Sequence, residues 1–223
     1  MRALTVGAHN LHDEHGLPTF FADVVFYSEA VPYLIRQRRR ELIREYRRAR
    51  AVGFRVKGTP LNHSLAIAVN TRVLTPVSKE YHRAHRGIKK VTPSRGTLIL
   101  KCRTVDTDRK VALVGEHRIN AAFPPYVRGE QITRQKFWGE HTEMTLALVD
   151  ELEAEGHFVI AGGDLNTPHD ISGYESHLLE QGHGLDRLGC SEEGHWSEFA
   201  RLNPVGSDHH RIRATLTLPK EYR

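Results

Sequence analysis

The chain has 223 residues, 39% hydrophobic and 26% charged, with a formal net charge of +5 at pH 7. That composition supplies one substantial core but not three domains, and it excludes an intrinsically disordered chain; no apolar run approaches the roughly 20 residues of a membrane span. Cys102 and Cys190 lie outside any CxxC pair and the opening MRALTVGAHNLHDEHG has no apolar h-region, so a disulfide scaffold is excluded and a leaderless, cytoplasmic protein is expected.

One domain over 1–223 is expected, without linker or repeat. Apolar runs and alternation bounded by turn residues predict strands at Ala3–Ala8, Asp23–Ser28, Ser64–Asn70, Gly96–Cys102, Lys110–Glu116, Phe158–Gly162, Leu185–Cys190 and Arg211–Thr217. Helices are predicted at Tyr33–Val52, which follows Pro32 and stops before Gly53, and at Arg134–Glu155, which stops before Gly156. Several successive strands have no helix between them, so two packed sheets flanked by helices fit better than an alternating doubly wound fold.

Polar residues gather where the predicted strands end. Asn10 ends the first, where a turn is its ordinary use. Glu29 ends the second; it could be a carboxylate ligand for Mg²⁺ or an acid favoured near the start of the next helix. His117 and Asn120 follow VALVGE; the histidine could donate to a phosphate oxygen or be a strand-end surface group. Gly163-Asp164-Leu165-Asn166 leaves the apolar run FVIAG. On an extended segment Asp164 and Asn166 point the same way, so one could accept a proton from water and the other hold it; an Asx-turn is the alternative. Asp186 sits in an apolar strand, where a carboxylate must be paired, with His209 or with Arg187 or another arginine. Ser207-Asp208-His209-His210 precedes the last strand, as a metal and phosphate contact or as a solvated loop.

Taken in order, Asn10, Glu29, His117, GDLN, Asp186 and the terminal SDH resemble the pattern of the endonuclease/exonuclease/phosphatase superfamily, the deoxyribonuclease I-like fold, over roughly residues 3–217. The resemblance implies a four-layered α/β sandwich of two mostly antiparallel sheets and Mg²⁺-dependent (or Mn²⁺-dependent) phosphoester hydrolysis. By the family pattern Glu29 binds the metal with Asp208 and Asn10 nearby. Asp164, helped by Asn166, activates the attacking water, while His209, oriented by Asp186, and His117 contact the scissile phosphate. Two departures stand out: His12 and Asp13 occupy the loop where many relatives carry an acid, and no glutamate near SLAIAVN (Asn62 and His63 stand there) pairs with His117.

His9, His12, His15, His82 and His85 invite a zinc site, but without HExxH they lack a converging spacing. The helix Tyr33–Val52 carries eight arginines, including Arg39, Arg40 and Arg47, against Glu41 and Glu45. Its surplus charge could contact a phosphate backbone, meet anionic lipid, or simply be solvated. With a sequence pI near 9.3, three functions stay open: a metal-dependent nuclease on DNA or RNA, a phosphatase on a small phosphorylated molecule or lipid headgroup, and a non-catalytic nucleic-acid-binding module.

Overall fold

The structure, a computed structural model, describes residues 3–11, 21–29, 54–58, 65–124, 129–167, 172–175, 177–204 and 209–220. The predicted helix Tyr33–Val52 with Arg39, Arg40 and Arg47 lies outside these residues, as do His12, Asp13, His15, Asn62, His63, Ser207 and Asp208.

The strands in chain order are β1 (Ala3–Asn10), β2 (Val24–Ser28), β3 (Phe54–Gly58), β4 (Leu65–Asn70), β5 (Leu74–His85), β6 (Arg95–Thr104), β7 (Lys110–His117), β8 (Phe158–Asp164), β9 (Leu179–His183), β10 (Asp186–Cys190), β11 (His195–Leu202) and β12 (Arg211–Thr217). The helix α1 spans Gln131–Ala154. One sheet runs β11-β12-β1-β2-β4-β3 and the other β5-β6-β7-β8-β10-β9. Each holds a single parallel pair, β1 with β2 and β7 with β8, among antiparallel neighbours. Among the described residues, sequence patterning located the eight interior strands and missed the four edge strands β3, β5, β9 and β11. An edge strand pairs on one side only, and its apolar alternation is correspondingly weak.

Period-two alternation builds the layers. Val111 and Leu113 of β7 face the other sheet and join a core with Leu4, Val6, Phe26, Ile67, Ile160 and Leu216. Ala112 and Val114 face the opposite way, packing with Val159, Val149 and Leu152 against α1. Each fully buried Leu, Ile, Val or Phe contributes about 1.5–3 kcal/mol relative to exposure. These residues therefore hold helix, sheet and sheet as three layers.

α1 begins three residues before its predicted start. Its first turn is held by Arg134, whose guanidinium donates to the carbonyls of Gly129 and Asn120. Its buried face is largely polar (Arg134, His141, Thr142 and Thr145 beside Trp138, Val149 and Leu152) because it covers polar residues of β6 and β7. Those residues lie beneath the polar end of the two sheets.

Candidate active site

The strand register sets the floor of the site. His117 of β7 lies beside Asp164 of β8, and Asp164 lies beside Asp186 of β10. Side chains directly paired across strands share a face, so these three form one row along the sheet edge. In the facing sheet Asn10 of β1 pairs with Ser28 of β2, and Glu29 follows. The rows are stitched together: Asn10 donates its side-chain N–H to Asp164 Oδ2 at 2.9 Å. The Asp164 N–H donates to Ser28 Oγ at 3.2 Å, and that hydroxyl donates to the Glu116 carbonyl at 3.3 Å.

Orienting groups are buried and ligand-facing groups are open. Asn10, His117, Asp164 and Asp186 are each no more than 3% exposed. The side chains of Glu29 and His209 keep 19% and 17%. His209 Nδ1 meets Asp186 Oδ2 at 2.8 Å, which leaves Nε2 as the ring nitrogen that can face a ligand. Arg187, the alternative partner for Asp186, pairs instead with Glu180 at 2.8 Å. His117 Nε2 lies 3.6 Å from Glu29 Oε1 and 3.7 Å from Asp164 Oδ2. It is a buried histidine and not the surface group that its strand-end position also allowed.

Asn166 departs from the expected geometry. The strand ends at Asp164, and Asn166 takes a left-handed backbone with φ 52°, so it does not continue the extended face. Its backbone N–H donates to Asp164 Oδ1 at 2.9 Å and its amide donates to the Arg118 carbonyl at 3.1 Å. The Asx-turn is therefore present, and it grips the carboxylate. Gly163 precedes it at φ 147°, where a Cβ would stand 1.9 Å from the Glu116 carbonyl oxygen; only glycine lets β8 come this close to β7. Glu29 also holds a left-handed φ of 55°. Such conformations cost of order 1–3 kcal/mol in non-glycine residues and cluster at functional sites.

Burial raises the Asp164 carboxyl to about 7, and the negative charges of Asp186 and Glu29 push the same way against His209. Burial first, then the Arg95 guanidinium, holds His117 well below 6.5, so its imidazole is neutral. Gathered carboxylates with an oxygen-rich donor set suit a hard divalent cation. Ligand atoms of Asp164, Asp186 and His209 lie within 4.8 Å of one another, and Glu29 adjoins them beside His117. These residues fit a divalent cation. Among the described residues that trio is the one candidate metal cluster. His9, His82 and His85 join no candidate metal cluster among the described residues; His85 stacks on Phe137 at 4.5 Å.

Pattern reading missed a second polar layer behind the row. Glu116, Arg118, His141 and Thr145 are fully buried. Arg118 Nε donates to Glu116 Oε2 at 2.9 Å, Thr145 donates to the same oxygen at 3.2 Å, and Tyr174 donates to Oε1. The signal was present in VALVGEHR: Glu116 falls on the same phase as Ala112 and Val114, where a charge must be paired. Ser28 likewise falls on the inward phase of Val24 and Phe26.

No family model and no curated protein matches the chain. Solved structures do. An endonuclease/exonuclease/phosphatase family protein from Bacteroides thetaiotaomicron is 14% identical and covers 96% of this chain and 97% of its own, with a TM-score of 0.72. A mannosyl-6-phosphatase from the same organism is 14% identical over 96% of this chain and 100% of its own, with a TM-score of 0.70. D. rerio TDP2 complexed with single strand DNA product is 14% identical over 97% of this chain and 99% of its own, with a TM-score of 0.64. The two stacked sheets, their order and these alignments give one conclusion: the chain has the fold of the endonuclease/exonuclease/phosphatase superfamily.

Proposed function

We propose that the chain is a divalent-metal-dependent phosphodiester hydrolase whose substrate is nucleic acid. The observation that carries this reading is the row His117–Asp164–Asp186, met by Asn10 from the other sheet and by His209 before the last strand. In-line displacement at phosphorus needs an activated water and positive charge on the phosphoryl oxygens, and the row supplies groups for both. Asp164 accepts the proton of the attacking water, its carboxylate aimed by Asn10 and by the Asn166 N–H. His209, oriented by Asp186, donates from Nε2 to a phosphoryl oxygen. His117, neutral and buried, fixes the space between Glu29 and Asp164. Glu29 holds the metal with Asn10, and with Asp208 by sequence position. A cation held there would supply positive charge for the phosphoryl and leaving oxygens.

A small phosphomonoester is the second reading, favoured by the likeness to a mannosyl-6-phosphatase. Incubating the protein with single-stranded DNA, single-stranded RNA and hexose phosphates, each with Mg²⁺ or with EDTA, separates the two. The expected result is oligonucleotide cleavage in Mg²⁺ that EDTA abolishes, with Glu29→Gln raising the metal concentration required. Release of phosphate from the sugar alone transfers the site to the second reading, and full cleavage in EDTA removes the metal.

A further inference from the structure

Between Glu80 and Asp106 the sequence contains no acidic residue and seven basic ones: Arg83, Arg86, Lys89, Lys90, Arg95, Lys101 and Arg103. Five of these fall between Arg83 and Arg95, on the hairpin that joins β5 to β6. β6 and β7 pair Thr97 with Glu116, so one step further Gly96 comes level with His117. The hairpin therefore springs from the sheet edge that carries the candidate site. Its tip is built: Ile88 and Thr92 exchange backbone bonds of 3.0 Å in both directions, Val91 N–H donates to the Ile88 carbonyl at 2.9 Å, and Lys90 closes the turn at φ 63°. Ile88 anchors it against the cluster of Ile119, Ala122 and Trp138. Arg83, Arg86, Lys89 and Lys90 are all exposed, and among the described residues no carboxylate pairs with them.

Resting on the reading above, we propose that this hairpin is the surface that holds the phosphate backbone of a nucleic-acid substrate beside the scissile phosphate. From Gly96 to Lys90 is six residues, a reach of at most roughly 20 Å. One strand carries a phosphate about every 3.4 Å of axial rise, so the tip lies within about six nucleotides of the site. A sugar phosphate seated at Asp164 is too small to touch it; a polymer spans both. Val91 is the large exposed hydrophobic at the tip, so the hairpin offers charge without the broad apolar face that would seat it in a lipid surface.

The test measures binding in EDTA, where cleavage does not intrude, using fluorescent single-stranded DNA of about twelve nucleotides over a range of salt. Arg86→Gln/Lys89→Gln/Lys90→Gln should weaken binding at low salt and flatten the salt slope by about two units, at roughly 0.7 per lost contact. Lys89→Arg/Lys90→Arg should bind like wild type. Arg103→Gln/Lys110→Gln/Lys220→Gln removes equal charge from the far end of β6, β7 and β12 and should leave the slope in place. Equal losses in both triple variants, or none in either, overturn the proposal. So does loss of binding to vesicles containing phosphatidylserine while DNA binding stays intact. DNA binding that depends on the hairpin, in a protein that cleaves no nucleic acid with Mg²⁺, supports the hairpin and sinks the hydrolase reading alone.

Discussion

His209 Nδ1 lies 2.8 Å from Asp186 Oδ2, across 23 residues of sequence, with the aspartate 3% exposed and the histidine reaching solvent. A buried carboxylate of this kind fixes the tautomer and orientation of its partner ring. His209→Ala should therefore lower kcat by about 10²–10³-fold, the usual loss for one donor to a developing oxyanion. Asp186→Asn should act through the same ring, so the double variant should be scarcely slower than His209→Ala. Steady-state kinetics on the three variants decides it, and independent multiplicative losses would break the pair.

Asp164 receives the Asn10 side chain on one oxygen and the Asn166 N–H on the other. Asp164→Asn keeps the shape and loses the base, so kcat should fall by about 10²–10⁴-fold with little change in KM. Asn10→Ala, which frees the carboxylate to rotate, should cost less. A fully active Asp164→Asn protein would remove the proposed water activation.

The Glu116–Arg118 pair is fully buried, and Arg118 also lies 4.6 Å from the Trp138 ring and 5.3 Å from that of Tyr174. Arg118→Met would strand the carboxylate, at a cost of about 3–5 kcal/mol. For a chain of this size that lowers Tm by roughly 6–20 °C, at about 2–4 °C per kcal/mol. Glu116→Met/Arg118→Met should recover part of the loss, because two apolar side chains leave no orphaned charge. Thermal melts check both, and an unchanged Tm for Arg118→Met contradicts the linkage.

His141 is buried beneath β6 and β7, and burial first, then the cations around it, lowers it from 6.5 to about 3 against the pull of Glu116. The unfolded chain takes up this proton below about pH 6.5 and the folded protein does not until about 3, so stability falls as pH drops through that window. At roughly 1.4 kcal/mol per unit, His141 alone removes about 2 kcal/mol by pH 5. His85, lowered by burial to about 4, acts in the same direction. His141→Gln keeps a donor for Thr97 and should flatten the dependence of Tm on pH between about 6.5 and 5; an identical slope would show that other groups set it.

The interior strands and most of the candidate site residues were legible in one dimension because their physics is local. LAIAVN, VALVG and FVIAG are buried on both faces and read as apolar runs, and turn-forming polar residues follow them where strands end. The edge strands were not. LTPVSKEYHRAH of β5 and HWSEFARL of β11 keep many exposed positions, so their pairing, and not their pattern, makes them strands. Only the tertiary structure decided which polar residues meet. Asn10 touches Asp164 because β1 and β8 belong to different sheets stacked face to face. Asp164 is flanked by His117 and Asp186 because one parallel and one antiparallel register bring them level. Asn166 turned away from its expected face because the chain leaves the strand at Asp164 into a left-handed turn. A charge carried inward on an apolar phase must be neutralised where it lands: Arg118, two residues on, pairs with Glu116, while the further donors Thr145 of α1 and Tyr174 come from segments remote in sequence.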